Sequence, residues 1–273
     1  MQKTKIDWCD MSWNPVTGCL HGCEYCYARK IANRFKGSLY QNKVYAIQNC
    51  NVKLYSSTGY GWYQNHSIDK PVKNGEGRII PYPFDFKPTF HRYRLDEPQK
   101  VKKPQTVFVC SMADLFGKWV PDSWIEAVFE ACEKVPQHRY LFLTKNPRRY
   151  GQSNLCHMFQ KQNIWLGTTI TSCKDEYRAK WLLAVTIPDV NTFLSIEPIA
   201  EPLNIKIGSI YPHNKIKWVI VGAETGNRKG KVIPKKEWIM TIKEQCKEAG
   251  VPLFMKESLR ELMGNDFVQE FPW

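Results

Sequence analysis

Short apolar runs alternate with helical patterns from residue 105 to the end of this 273-residue chain. Fully apolar strands separated by helices are typical of a parallel sheet with helical cover. An earlier strand over residues 11–17 and a helix over 26–35 precede this part. The pattern predicts an α/β fold, a partial or distorted (β/α) TIM-like barrel of six to seven parallel strands. The expected strands cover residues 107–110, 140–143, 164–166, 192–194, 218–221 and 253–255, and the expected helices cover 122–133, 150–161, 175–186 and 235–249.

Residues 36–100 interrupt the alternation after the first strand and helix. Glycine and proline recur there, so we expect an irregular insertion rather than a long helix or βα unit, within one domain spanning residues 1–273. The insertion holds eleven aromatic residues, with ten Lys or Arg residues against five acids. Interleaved stacking faces and cations suit single-stranded or flipped-base nucleic acid. The alternative is a small satellite core that buries the aromatic residues.

A net charge of +13 indicates a polyanionic partner such as nucleic acid, against the alternative of a generally basic, solvated surface. No run of 18 apolar residues occurs, and the first residues lack the apolar core of a signal peptide. We therefore expect no membrane contact. If its cysteines are reserved for a metal cluster, as argued below, they must stay reduced, so we expect the chain in the cytoplasm.

Three cysteines stand close together at the spacing Cys19-x3-Cys23-x2-Cys26. Three soft sulfur ligands with no fourth nearby suit an iron–sulfur cluster in which one iron is open to a substrate or cofactor. One alternative is zinc, with His21 completing a set of three cysteines and one histidine. The other is that the cysteines are ordinary reduced thiols.

The same stretch carries a family resemblance. An aromatic residue, Tyr25, precedes the last cysteine, and the whole motif resembles the signature of the radical SAM superfamily. The longer string from Trp13 to Cys19 is similar to a phage-associated branch known mainly as a domain of unknown function. Similarity extends over nearly the whole chain and is weakest over residues 36–80. Segments 108–116, 142–145, 164–167, 195–198 and 219–226 agree with it.

The resemblance implies a barrel, a [4Fe-4S] cluster on Cys19, Cys23 and Cys26, and S-adenosylmethionine chelated by the open iron. Reductive cleavage of that cofactor would give a 5′-deoxyadenosyl radical that abstracts hydrogen from a substrate. An external electron donor such as a flavodoxin or ferredoxin is expected. Tyr25 would lie against the adenine.

Polar residues that follow the predicted strands should line one edge of the sheet. We predict from them a cofactor-binding set of Ser111, Asp114, Thr169, Glu197 and Glu224. Radical SAM enzymes commonly hold the methionine part with a Gly-Gly-Glu-like segment after the second strand. Residues 110–114 occupy that place without glycine or glutamate, so Ser111 and Asp114 are the predicted substitutes.

Seven further cysteines show no ligand spacing, and most should be small core residues. Cys173 follows the fourth strand of the predicted barrel, and some radical SAM enzymes return a hydrogen atom from a thiol. Cys173 is therefore a candidate hydrogen donor, with a structural role as the alternative.

The sequence thus predicts a radical SAM enzyme that acts on nucleic acid or a nucleotide, in modification or repair. One alternative is a radical SAM enzyme acting on a peptide or protein. The other is a non-catalytic iron–sulfur protein that binds nucleic acid or senses a signal.

Overall fold

The computed structural model describes residues 1–58, 61–152, 155–185, 190–208 and 215–273, without the side chains of residues 54–58, 61–63 and 185. The chain divides into two compact units. The first comprises Met1–Thr4 and Cys9–Tyr140, and the second comprises Lys5–Trp8 and Leu141–Trp273. The single-domain organisation expected from the sequence stays a prediction.

The described residues form a mixed α/β fold with a large, mostly parallel sheet. The helices are α1 (Tyr27–Phe35), α2 (Leu39–Asn49), α3 (Asp122–Glu133), α4 (Tyr177–Val185), α5 (Lys236–Ala249) and α6 (Arg260–Met263). The strands are β1 (Gln2–Lys3), β2 (Met11–Trp13), β3 (Val16–Thr17), β4 (Lys53–Thr58), β5 (Gly61–Ile68), β6 (Thr89–His91), β7 (Thr106–Val109), β8 (Arg139–Thr144), β9 (Ile164–Thr169), β10 (Asn191–Ile196), β11 (Trp218–Val221) and β12 (Leu253–Met255).

Parallel pairing runs through both units. In the first unit β2 pairs with β7, with Trp13 opposite Val109, and β1 adds an antiparallel edge to β2. In the second unit β9, β10, β11 and β12 pair in that order, all parallel. Strands β7 and β9 to β12 are buried along their whole length, as expected for a parallel sheet with two covered faces. A closed barrel stays a prediction.

The predicted first strand over residues 11–17 is two strands. Asn14 and Pro15 separate β2 from β3, and β3 belongs to a second sheet with the order β3-β6-β5-β4. A proline offers no N–H to a ladder, so continuous pairing stops there. This break leads the chain out of the large sheet just before the cysteines.

The segment 36–100 is more regular than the sequence suggested. It contains α2, whose first turn is capped by the Ser38 hydroxyl accepting from the Gln41 N–H at 3.5 Å. It also supplies β4, β5 and β6 of the second sheet. The expectation of an irregular insertion is therefore wrong for the 28 of these 65 residues that lie in α2, β4, β5 and β6.

Several of its aromatic residues are buried, as the satellite-core alternative requires. Phe84 packs with Ala46 and Ile68, Phe86 packs on α1, and Phe90 stacks on Trp124 at 5.2 Å between ring centroids. These three rings are therefore not stacking faces for bases. Tyr60 and the side chains of Tyr55, Trp62 and Tyr63 lie outside the described residues.

Among the predicted helices, α3 has the expected bounds and α5 begins one residue late. The predicted helix over 150–161 is wrong, because the chain makes two 3₁₀ turns, Pro147–Gly151 and Cys156–Phe159. The Tyr150 hydroxyl donates to the Gly167 carbonyl at 3.0 Å, and its ring packs on Phe159. None of the helices in the described ranges is long and apolar enough to cross a bilayer.

Candidate metal centre

The cysteine loop, residues 18–26, connects β3 to α1 in the first unit. Its start is fixed to two other segments. The Gly18 N–H donates to the Met112 carbonyl at 2.9 Å, and the Cys19 N–H donates to the Phe86 carbonyl at 3.1 Å. Gly18 has a φ of +87°, and a Cβ there would lie 2.2 Å from the carbonyl oxygen of Lys87. Only glycine fits at this close approach.

The end of the loop is fixed by α1. Cys26 is the N-cap of this helix, and its sulfur accepts from the Arg29 N–H at 3.3 Å. The Arg29 side chain donates to the Cys19 carbonyl at 3.3 Å and lies over the Phe86 ring. The loop is thus anchored at both ends.

The three thiols share one electrostatic environment. Burial, reinforced by the Asp114 carboxylate, raises the pKa of Cys19 to about 12. The His21 N–H opposes the shift, whereas negative charge on Cys23 and on Cys26 adds to it. A Cys19 thiolate therefore needs a compensating positive centre. Metal binding supplies such a charge by displacing the protons of thiol ligands.

Both metal alternatives, a cluster and a single zinc ion, stay predictions. Within the described ranges, no three His, Cys, Asp or Glu side chains form a group that could hold one metal ion. Ligands of an iron–sulfur cluster each bind a different iron, so they stand farther apart than ligands that share one ion. The zinc alternative also needs His21. Its Nε2 lies 2.7 Å from an Asp114 carboxylate oxygen, which leaves Nδ1 as the ring nitrogen that a metal could bind.

The turn after β7 lies against the cysteine loop. It begins at Cys110, which has a φ of +59°. The Asn14 side-chain oxygen accepts from the Met112 N–H at 2.9 Å and from the Ser111 hydroxyl at 3.2 Å. The Tyr27 hydroxyl donates to the Ser111 carbonyl at 2.8 Å. The structure therefore brings Ser111 to the loop. Sequence reasoning assigned no role to Asn14, which fell inside the predicted strand over residues 11–17.

Asp114 connects the same turn to the cysteine loop. It is 5% exposed, and its second carboxylate oxygen accepts from the Phe116 N–H at 3.1 Å. The His21 ring, bound to Asp114, also meets the Trp119 ring edge to face at 4.8 Å. Asp114 thus anchors the middle of the loop. Its proposed contact with the cofactor stays a prediction.

We predict that Asp114→Ala loosens the loop. A charge-assisted hydrogen bond contributes about 1.5–3 kcal/mol, so its loss should increase local opening by about tenfold or more. The measurement is the rate at which iodoacetamide modifies Cys19, Cys23 and Cys26 in metal-free protein, resolved by mass spectrometry of the peptides.

The matched control for this prediction is Asp10→Ala. The Asp10 carboxylate accepts from the Thr106 N–H at 2.7 Å where β2 and β7 begin, whereas Asp114 lies beyond the end of β7. This variant should leave the three modification rates unchanged. Equal rates in wild type and Asp114→Ala would contradict the anchoring role.

Polar side chains also collect at one edge of the sheet in the second unit. Thr169 ends β9, Glu197 follows β10, and Glu224 and Lys256 follow β11 and β12. Because these strands are parallel neighbours, the residues fall at the same edge. Thr169 is 7% exposed, and its carbonyl accepts from the Arg178 side chain at 3.0 Å.

Both carboxylates at this edge have cationic partners that sequence reasoning did not assign to them. Lys256 pairs with Glu197. Arg228 makes two bonds to Glu224, of 2.7 and 2.8 Å. The cofactor-binding roles of Thr169, Glu197 and Glu224 stay predictions.

Cys173 lies in a 3₁₀ turn of the second unit and is exposed. A hydrogen bond to the Glu201 carboxylate raises the pKa of the Cys173 thiol. Its role as hydrogen donor stays a prediction. Four of the other cysteines are buried, as expected of small core residues: Cys50, Cys110, Cys132 and Cys246.

Comparisons with known proteins give one family and two distant structural similarities. The family model described as "Protein of unknown function (DUF5131)" matches residues 3–261. Two solved structures of spore photoproduct lyase with dinucleoside spore photoproduct, one of them a mutant, are similar at 10% identity with TM-scores of 0.42 and 0.44. Each match covers 95% of this chain and 76% of the other. No curated protein matches the chain.

Proposed function

We propose that this chain, which belongs to the DUF5131 family of proteins of unknown function, is a radical SAM enzyme that acts on nucleic acid or a nucleotide. One observation carries the proposal. Cys19, Cys23 and Cys26 lie on one anchored loop, within electrostatic reach of each other, at the spacing of the radical SAM signature.

The three cysteines would ligate three irons of a [4Fe-4S] cluster and leave the fourth open for S-adenosylmethionine. When bound, the cluster and cofactor supply reductive cleavage of the sulfonium and, from it, hydrogen abstraction from an unactivated C–H bond. The protein has to hold the cluster, orient the cofactor and substrate, and keep water away.

Apolar side chains next to the loop support the last of these tasks. Cys19 and Cys26 pack against a buried cluster that includes Ala28, Phe86 and Met112. Such surroundings restrict solvent around the cluster and tune its reduction potential.

Residues of the first unit would also bind the cofactor. Tyr25, half-buried within the loop, is the residue proposed to contact the adenine. The Ser111 hydroxyl, held next to the loop by Asn14, is proposed to bind the methionine part together with Asp114.

The test is anaerobic reconstitution followed by reduction. Wild-type protein should bind about four irons and four sulfides, as one cluster requires, and should release 5′-deoxyadenosine and methionine from S-adenosylmethionine. Cys23→Ala should lose both the visible absorption and the cleavage, because one iron loses its ligand.

The control is Cys156→Ala, which removes a half-buried thiol far along the chain from the motif and should retain both signals. A cluster that persists in Cys23→Ala would contradict the ligand assignment. An intact, reducible cluster that never cleaves S-adenosylmethionine would favour the sensing alternative.

The substrate class rests on charge. The chain carries +13, and residues 27–50 contain five Lys or Arg residues and no acid. Polyanions bind such surfaces through their phosphates. Nucleic acid is therefore preferred to peptide as the substrate.

A further inference from the structure

Exposed apolar side chains are concentrated beside the cysteine loop. Seven of the twelve large apolar residues that the described part of the chain exposes fall between Leu20 and Ile47. Tyr40 is 79% exposed and Ile47 is 64% exposed. Isolated exposed apolar residues are ordinary, but a contiguous group marks an interaction site.

The two helices that carry this group follow each other in the chain and pack on the same segment. Ala28 and Ala32 of α1 pack on Phe86, and Ala46 of α2 packs on Phe84. The Asn42 amide, also on α2, donates to the Pro83 carbonyl at 3.1 Å. Both helices thus bury one face on the segment 82–86. We define the α1–α2 surface as six of their exposed side chains: Arg34, Phe35, Tyr40, Lys43, Val44 and Ile47.

The charge on these helices has one sign. Of the five cations of residues 27–50, two serve other contacts, because Arg29 donates to the Cys19 carbonyl and Lys36 pairs with Asp85 at 3.5 Å. The other three, Lys30, Arg34 and Lys43, are exposed. Helices α1 and α2 contain no acid to repel a phosphate.

We propose that the α1–α2 surface binds single-stranded nucleic acid. Arg34 and Lys43 pair with backbone phosphates, and Tyr40 and Phe35 stack on unpaired bases. Exposed rings interleaved with cations are the elements of such sites, because every base offers a face for stacking. A duplex hides those faces and suits the surface less well.

This inference rests on the proposed function for its meaning, since it identifies where the substrate's flanking nucleotides bind. Helix α1 starts at the residue after Cys26 and ends at Arg34 and Phe35, so one helix of nine residues, roughly 12 Å, separates the surface from the cysteine loop. A strand held there is tethered within a few nucleotides of the loop. Binding itself does not require the cluster.

Arg92 and Arg94, which also belong to the basic segment 36–100, fit phosphate contacts less well. Arg94 donates to the Asn14 carbonyl at 2.9 Å and its own carbonyl accepts from Trp13, so this residue serves the fold. Arg92 pairs with Asp69 at 3.3 Å. The cations of α1 and α2 replace them in the proposal.

The experiment measures fluorescence anisotropy of a short labelled oligothymidine with the full-length, metal-free chain over a range of salt concentrations. Tyr40→Ala should weaken binding by about fivefold to 100-fold without changing the salt dependence, because stacking contributes about 1–3 kcal/mol per base. Tyr40→Phe keeps the ring and should bind like the wild type.

The double variant Arg34→Ala/Lys43→Ala should act on the salt dependence instead. Each lost phosphate contact reduces the log–log slope by about 0.7 on single strands, so the double variant should reduce it by about 1.4. Lys102→Ala/Lys103→Ala removes the same charge from exposed positions of the first unit and should leave the slope unchanged.

Equal effects of the two double variants would overturn the proposal, since binding would then follow overall charge alone. Wild-type affinity in Tyr40→Ala would also overturn the proposal, as would tighter binding of a duplex than of a single strand. A dimer in light scattering that dissociates in Tyr40→Ala would assign the surface to a second copy of the chain. Specific binding by the metal-free protein, combined with no cleavage of S-adenosylmethionine by the reconstituted protein, would refute the proposed function alone.

Discussion

In a Gly18→Ala variant the free energy of unfolding is expected to be lower by roughly 3 kcal/mol or more. The added Cβ would lie 2.2 Å from the Lys87 carbonyl oxygen and 2.8 Å from that of Phe86, both rigid backbone atoms. Strain at a left-handed φ of +87° costs about 1–3 kcal/mol before the clash is added. The measurement is the urea midpoint of unfolding, followed by tryptophan fluorescence.

The same variant should detach the start of the cysteine loop. Relieving the clash moves Gly18 away from Met112 and Cys19 away from Phe86, which breaks both backbone hydrogen bonds. Modification of Cys19 by iodoacetamide should therefore accelerate in metal-free protein.

Gly22→Ala is the matched control for this effect. Gly22 lies in the same loop with a φ of +72°, and a Cβ there would meet nothing within 4 Å. It carries the left-handed penalty alone, about 1–2 kcal/mol. Equal losses in the two variants would show that backbone conformation, rather than crowding at Gly18, sets the cost.

The large sheet could be predicted from the sequence because its strands are apolar on both faces. The four residues of β11, Trp218–Val221, are all buried, and such a run has few alternatives to a covered strand. Helix α3 was equally clear, since its apolar residues recur on one face after Pro121. These signals come from residues that are close together in the chain, so a single sequence is enough to detect them.

The second sheet could not be predicted in the same way. Strand β3 has only two residues, and its partner β6 lies more than 70 residues later in the chain. Helix α2 buries only Asn42 and Ala46 and exposes Tyr40 and Ile47, so its apolar pattern does not match a core-facing helix. The binding role proposed for this face would account for the mismatch.

The same distinction between local and long-range features applies to the candidate site. The cysteine spacing is local and was evident. The contacts that hold the loop are not local, because His21 and Asn14 meet partners more than 90 residues away. Single residues of this kind carry no periodic signal, and only the fold brings them to the cysteines.

His66 makes the stability of the first unit depend on pH. Its ring is 6% exposed and stacks on Phe84, with 4.0 Å between centroids and 8° between planes. Its Nδ1 has no hydrogen-bond partner in the described part of the chain. Burial, reinforced by Lys87, lowers the pKa of His66 from 6.5 to about 4. The folded protein therefore keeps this imidazole neutral at pH values where the unfolded chain protonates it.

The free energy of unfolding should consequently decrease as the pH is lowered from about 6.5 to 4, because the unfolded state binds the extra proton. The shift in the pKa of His66 corresponds to about 3 kcal/mol over that window. His66→Phe keeps the stack on Phe84 and should remove this part of the pH dependence in urea unfolding.

His91, buried with a pKa also lowered by burial, adds a pH dependence of the same sign, and the wild type and His66→Phe share it. The exposed His157 provides the control, since His157→Gln should change nothing. A slope in His66→Phe as steep as in the wild type would mean that His66 is protonated in the folded protein.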